Sequence, residues 1–228
     1  RWRVIAYNKA IKAIKEYNGK ITNAEDLRKL HGVGEKIVLK VEEILKTGKL
    51  KAANIIRKDK TITAVSLIGN VVNIGPVKAK ELVEKHKIKT IDQLRKNQHL
   101  LNNKQKIGLK YYESLMLKIP RVEMDKHNNF LQKLMKSIDS KATLTTVGSY
   151  RRLVKSSGDI DVLLTHSQDK DIFKPFVDSL LKTNYVKDVL SYGNKKCSAV
   201  VEITKGKMRR LDILFTKKSE YPFALFYF

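Results

Sequence analysis

Three aspartates sit on two strand-like runs, Asp159-Ile160-Asp161-Val162-Leu163-Leu164 and Arg209-Arg210-Leu211-Asp212-Ile213-Leu214-Phe215. Alternate side chains of a strand share a face, so Asp159 and Asp161 point one way while Ile160, Val162 and Leu164 point into a core. Leu211, Ile213 and Phe215 likewise share a face, with Asp212 on the other. If the two apolar faces share one core, the three carboxylates meet, and they repel one another unless a cation lies among them. Hard oxygen ligands suit Mg²⁺, which keeps open positions for phosphate oxygens and water. Just upstream, Gly148-Ser149 follows the apolar run Leu144–Val147. Glycine there lets backbone N–H groups approach a phosphate, and the serine adds a hydroxyl donor. Arg151 and Arg152 supply forked cationic donors, and Ser157-Gly158 gives a second tight approach before the carboxylates. An Asp-x-Asp alone is usually a solvated strand edge, and an Arg pair is usually surface. Phosphate donors and metal carboxylates in one compact unit are far more specific.

The run GSYRR…SSGDIDVLLTH resembles the nucleotidyltransferase signature of the family X DNA polymerases, in its polymerase-beta-like version. The resemblance implies Asp159, Asp161 and Asp212 as ligands of two Mg²⁺ ions, with Asp212 near the primer 3′ hydroxyl. It also implies that Ser149, Arg152, Ser157 and Gly158 cradle the triphosphate. Lys118 falls where the family commonly has an arginine touching the triphosphate; a point charge keeps the attraction and loses the fork. Tyr227 and Phe228 match a pair that packs on the incoming sugar and helps exclude a 2′ hydroxyl.

The elements that would position this chemistry begin with Trp2–Tyr17, where Val4, Tyr7, Ile11, Ile14 and Tyr17 fall near helical spacing. Leu30-His31-Gly32-Val33-Gly34-Glu35-Lys36 then reads as a sharp turn into a helix whose free N–H groups make an anion site. The pattern recurs in Val72-Asn73-Ile74-Gly75-Pro76-Val77-Lys78, with Asn73 in the place of Gly32. The two units look like paired helix-hairpin-helix motifs, which grip duplex backbone without reading sequence. Gly32, Gly34, Lys36, Gly75 and Lys78 are the candidate DNA contacts. By resemblance, the backbone carbonyls of Arg28, Leu30 and Val33, and of Gly69, Val71 and Ile74, each hold a monovalent cation, Na⁺ or K⁺.

The first module, from Tyr7 to Lys51, resembles the family's lyase domain. There Lys40 matches the Schiff-base nucleophile that attacks an abasic sugar, while Trp2, Arg3, Tyr7 and Lys36 match the groups that hold its 5′ phosphate. Lys36 and Lys40 are four residues apart on one helical face, a spacing at which lysines are usually only solvated.

Charge agrees with a polyanionic partner. The 228 residues carry 47 Lys plus Arg against 23 Asp plus Glu, net +24. Residues 1–120 hold 27 basic and 11 acidic side chains and residues 121–228 hold 20 and 12, so the excess is no tail. The single cysteine, Cys197, excludes an internal disulfide and suits a reducing, intracellular compartment. No apolar run approaches a membrane span, and no signal peptide is visible. The five histidines show no zinc spacing. The first residue is Arg, so the amino terminus is expected to lie upstream, and the resemblance implies a further module after Phe228.

The expected fold class is α+β and multidomain: helical N-terminal modules with two helix-hairpin-helix motifs, then a mixed β-sheet nucleotidyltransferase palm. The divisions expected are 1–57 (lyase-like), 58–120 (second hairpin), 121–218 (palm) and 219–228 (the start of a further subdomain). The function implied is a monomeric base-excision-repair DNA polymerase acting on gapped or nicked duplex DNA and deoxynucleoside triphosphates, alongside other repair proteins. It would be nuclear in a eukaryote, with a viral source as the other possibility. A template-independent terminal transferase of the same family is the enzymatic alternative, and a non-catalytic DNA-end binding module is the other.

Overall fold

An unbroken stretch without Gly or Pro makes Trp2–Lys15 the first helix, α1. A computed structural model describes residues 2–228 and divides the chain into two units, Arg1–Val65 and Ser66–Phe228. In the first unit, α1 buries its later turns: Ala10 is in the core, with Ala13, Ile14 and Tyr17 packed beside it. Val4, Tyr7 and Ile11 share the helical spacing yet stay exposed, because this small core reaches only the last turns of the helix. A 3-10 turn at Ala24–Lys29 is capped by Asn23, whose side chain accepts from Glu25 N at 3.1 Å. Helices α2 (Glu35–Thr47) and α3 (Lys51–Lys58) follow. Ala24, Leu27, Val33 and Val38 complete the core. Helix α4 (Lys60–Gly69) runs across the division.

The second unit continues with α5 (Pro76–Glu84), α6 (Ile91–Lys96), α7 (Asn103–Lys110) and α8 (Tyr112–Met116). Asn102 and Gln105 form a reciprocal capping box at the start of α7. Then come β1 (Ile119–Pro120), α9 (Arg121–Ile138), β2 (Ala142–Thr146), α10 (Gly148–Arg151), β3 (Ser156–Ser157) and β4 (Ile160–His166). The chain goes on with α11 (Phe173–Leu181), β5 (Val186–Tyr192), β6 (Lys196–Glu202), β7 (Met208–Phe215) and α12 (Tyr221–Tyr227). The main sheet has order β2-β4-β7-β6-β5, with β4 and β7 parallel and every other pair antiparallel. It is the expected mixed sheet. Helices α9 and α11 cover one face, packing Leu131, Met135, Phe173, Phe176 and Val177 against Ile160, Val162, Leu164, Leu211 and Ile213. Among the described residues no helix is long and apolar enough to cross a membrane.

One buried ion pair fastens the helices before the sheet to the sheet itself. Arg209 on β7 is 4% exposed and grips Glu123 of α9 in a fork, Nε to Oε1 at 2.7 Å and Nη2 to Oε2 at 3.0 Å. Its Nη1 also donates to the carbonyls of Leu117 at 3.2 Å and Ser114 at 3.4 Å. Burial pulls the Glu123 carboxyl up, but Arg209 more than offsets this and holds it below the usual range. His127, fully buried beside it, is driven down to about 4 by burial. It is therefore neutral at pH 7 and pairs through Nδ1 with the Tyr185 hydroxyl at 2.7 Å.

Losing one partner of a buried pair strands the other charge. Arg209→Met should therefore cost about 3–5 kcal/mol of unfolding free energy, and Glu123→Leu on top of it should return most of that loss. Urea melts of the three proteins check it.

Candidate active site

Parallel pairing of β4 with β7 sets Asp161 directly opposite Asp212, and Asp159 lies one residue before β4 begins. Carboxylate oxygens of Asp159, Asp161 and Asp212 all fall within 4.8 Å of one another. The apolar partners of each strand are buried in the shared core, as the alternation predicts. Burial first, then the charges of Asp159 and Asp212, push the Asp161 carboxyl up to about 6. Arg210, one residue beyond the buried Arg209, relieves part of this repulsion. Its guanidinium is hydrogen-bonded to Asp159, and its Nε lies 3.2 Å from Asp212 Oδ2. Three hard oxygen ligands with surplus negative charge fit a divalent cation.

Gly148 opens α10 at φ +63°, and a Cβ there would lie 2.3 Å from Asp161 Oδ2. Only glycine brings this turn against the carboxylates. Ser149 follows in the same turn and is half-buried. Ser157 is buried on β3, which pairs with β1 just after Lys118. A Cβ on Gly158 would stand 3.5 Å from Lys118 Nζ, so that ammonium lies beside the glycine. Arg152 is turned elsewhere: its Nη1 donates to the Phe228 carbonyl, and with Tyr227 and Phe228 it lines a cavity of about 600 Å³.

The two hairpins repeat at a spacing of 41 residues. Leu30 N donates to Leu27 O and Val33 N to Leu30 O; Val71 N donates to Ile68 O and Ile74 N to Val71 O. Gly34 and Gly75 cap the following helices in matching extended conformations. Gly32 has φ +89° and Asn73 has φ +68°, so Asn73 adopts the left-handed backbone that glycine supplies in the first hairpin. Its side chain donates to Lys104 O at 3.3 Å, and Gln105 Nε2 donates to Asn73 O at 3.3 Å. The carbonyls of Leu30 and Val71 each already accept one N–H, which leaves a lone pair for a cation. Arg28, Val33, Gly69 and Ile74 occupy the equivalent turns.

In the second unit, the hairpin from Gly69 to Gly75 faces Ser191, Lys196, Ser198, Arg210 and Asp212 across a cleft of about 600 Å³. Arg210, Lys196 and Ser198 were not singled out from the sequence. Ser198 is opposite Asp212 in the β6–β7 register, a pairing that no local pattern reveals. In the first unit Lys40 is half-buried and donates through Nζ to Lys36 O at 3.0 Å. Trp2, Arg3 and Tyr7 lie exposed on α1, and α1 meets the first hairpin where Gly32 approaches Lys9. Lys78, at the start of α5, is paired with Glu81 at 3.1 Å.

Comparison with known proteins agrees with this architecture. Residues 118–218 match the family model described as DNA polymerase beta palm, residues 1–50 a helix-hairpin-helix domain, and residues 66–116 the fingers domain of DNA polymerase lambda. The chain is 32% identical over 193 residues to DNA polymerase lambda of Arabidopsis thaliana, a match covering 83% of this chain and 36% of the relative. It is 28% identical over 238 residues to DNA polymerase lambda of Rattus norvegicus, covering 100% and 41%. It is 32% identical over 181 residues to DNA polymerase type-X family protein pol4 of Schizosaccharomyces pombe, covering 79% and 35%. The chain thus spans well under half the length of these relatives.

A proton on Asp161 competes with a metal ion for the same oxygens. Below the raised value of about 6 the apparent affinity for Mn²⁺, used as a paramagnetic probe, should fall by up to about tenfold per pH unit. Above pH 7 it should level off. Electron paramagnetic resonance titrations between pH 5 and 8 check this without any catalysis.

Proposed function

The chain belongs to the family X DNA polymerases, and we propose that it extends a primer by deoxynucleotides in short gaps of duplex DNA during base excision repair. The observation that supports this most directly is the carboxylate cluster, within 4.8 Å, set against a turn that only glycine permits. Asp159, Asp161 and Asp212 would hold two Mg²⁺ ions, which when bound lower the primer hydroxyl's pKa and neutralise charge on the triphosphate. Arg210 has to give up its carboxylates as they are occupied, and its fork is then free for a phosphate. Ser149, Ser157 and Gly158 line the approach for the triphosphate oxygens, with Lys118 beside them. Arg152 joins them once it leaves the Phe228 carbonyl, and Tyr227 and Phe228 flank the sugar. The cleft between the second hairpin and β6–β7 suits the primer strand. Backbone N–H groups at Gly75 and the ammonium of Lys196 meet phosphates, and Asp212 faces the 3′ end. Na⁺ or K⁺ on the hairpin carbonyls would link these turns to the DNA backbone. In a eukaryotic cell the enzyme would act in the nucleus.

The same reading gives the first unit a 5′-deoxyribose-phosphate lyase role. The Lys40 amine adds to the open-chain aldehyde and loses water to form an imine, which acidifies the neighbouring C–H for elimination of the phosphate. Lys40 must first release the Lys36 carbonyl. Trp2, Arg3, Tyr7 and Lys36 would hold the 5′ phosphate.

Single-nucleotide filling of a gap bearing a 5′ deoxyribose phosphate, with borohydride trapping in parallel, tests both. Asp212→Ala should lower extension by about a thousandfold, the several kcal/mol supplied at a metal site, and leave trapping intact. Lys40→Ala should abolish trapping and spare extension. Extension that survives in Asp212→Ala overturns the polymerase assignment.

A further inference from the structure

The width of the cleft between the second hairpin and the catalytic strands depends on what joins the helices before the sheet to the sheet itself. On the hairpin side, α6, α7 and α8 behave as one block. Arg95 of α6 is ion-paired with Glu113 of α8. A Cβ on Gly108 of α7 would lie 2.2 Å from the Val72 carbonyl, so α7 and the hairpin touch backbone to backbone. Gln105 and Asn73 add the two hydrogen bonds described above. Among the described residues, hydrogen bonds join the block to the sheet at two separated points. One is Arg209, which takes the carbonyls at the end of α8 and forms a buried pivot.

The other is Asp188 on the edge strand β5. Its Oδ2 accepts from the Tyr111 hydroxyl at 2.6 Å and from Lys110 Nζ at 2.9 Å, and that ammonium stands 4.7 Å from the centre of the Tyr111 ring. The pairing of β5 with β6 is irregular on both sides of Asp188, at Val186/Asp188 and at Val189/Ser191. Irregularities of this kind re-aim a side chain out of the ladder. Three residues on, Ser191 of the same strand lines the cleft.

We propose that Asp188 is a positioning residue: its contacts with Lys110 and Tyr111 latch the helical block to the sheet and so fix the distance from the DNA-gripping hairpin to the catalytic carboxylates. This rests on the polymerase reading for its consequence, though not for its geometry. The latch is partly exposed while the pivot is buried, so releasing the latch swings the block without unfolding the unit. The primer strand then loses its register on Asp212, whereas the triphosphate turn on α10 and β3 is untouched.

Nitroxide labels at Lys85→Cys and Lys205→Cys, in a Cys197→Ala background, report the block-to-sheet distance by double electron–electron resonance. Asp188→Ala should broaden and lengthen that distribution while lowering the melting temperature by only about 2–4 °C. It should raise KM for gapped DNA about tenfold, as loss of one charge-assisted hydrogen bond would, with KM for nucleotide and kcat within about twofold on the same scale. Tyr111→Phe preserves volume and should give a smaller change in the same direction, and it carries the test if Asp188→Ala fails to fold. An unchanged distance distribution in the folded variants overturns the latch. A widened distribution with unchanged KM for DNA overturns its role in the cleft. If the parent protein extends no primer but Asp188→Ala still widens the distribution and weakens DNA binding by anisotropy, the latch stands and the polymerase reading fails.

Discussion

Mutual repulsion of three carboxylates is the constraint that everything else in the second unit answers to. Folding β4 beside β7 brings Asp161 level with Asp212 and Asp159 close by, at a cost that grows as the site is withdrawn from water. The apolar alternation of the two strands makes that approach unavoidable, because Ile160, Val162, Leu211 and Ile213 have one core to share. Arg210 partly offsets the repulsion with one delocalised charge. Burial, with the repulsion that is left over, raises the affinity of Asp161 for a proton. A divalent cation supplies more charge in less space than a guanidinium and would relieve the repulsion more fully than Arg210 does.

Gly148 presses its turn onto Asp161, which no side chain would permit. Arg209 and Arg210 are neighbours on one strand and therefore face opposite ways: Arg209 goes into the buried pair with Glu123, and Arg210 into the cluster. The first arginine is committed to structure by its burial and its four donor contacts. The second is half-exposed and its partners can be taken from it. Adjacent residues of the same type thus act as anchor and as movable charge, with strand alternation alone separating the roles.

Much of this was legible in the sequence because it is local. Alternation on Asp159–Leu164 and Arg209–Phe215, the Gly-Ser and Ser-Gly turns and the two hairpins all express themselves within a dozen residues, and the mixed sheet followed from them. What was not legible depends on pairing between distant segments. Nothing near Lys196 or Ser198 says that β6 lies between β7 and the edge strand and opens onto the second hairpin. Nothing near Asp188 announces Tyr111. The periodicity of α1 was real but overstated its burial, since Val4, Tyr7 and Ile11 meet water where the small core of the first unit ends. Arg152 fits the phosphate pattern in sequence, while in the fold its guanidinium is held by a carbonyl at Phe228.

Asn73 shows how one departure from a repeat can carry information. A left-handed backbone at this position is needed for Ile74 N to reach Val71 O, and glycine meets that need in the first hairpin at no steric cost. Asparagine tolerates it less well, and the cost has to be met by something glycine cannot do. Here the amide reaches the Lys104 carbonyl while the Asn73 carbonyl receives Gln105, whose own side chain also caps α7. The first hairpin meets α1 where Gly32 approaches Lys9 and where Leu30 and Val33 share an apolar core with Ala10 and Ile14. The second hairpin is instead hydrogen-bonded to the helix that ends at the latch. A rise in intrinsic strain at one turn is thereby exchanged for hydrogen bonds between that turn and α7, which hold the hairpin that faces the carboxylate cluster.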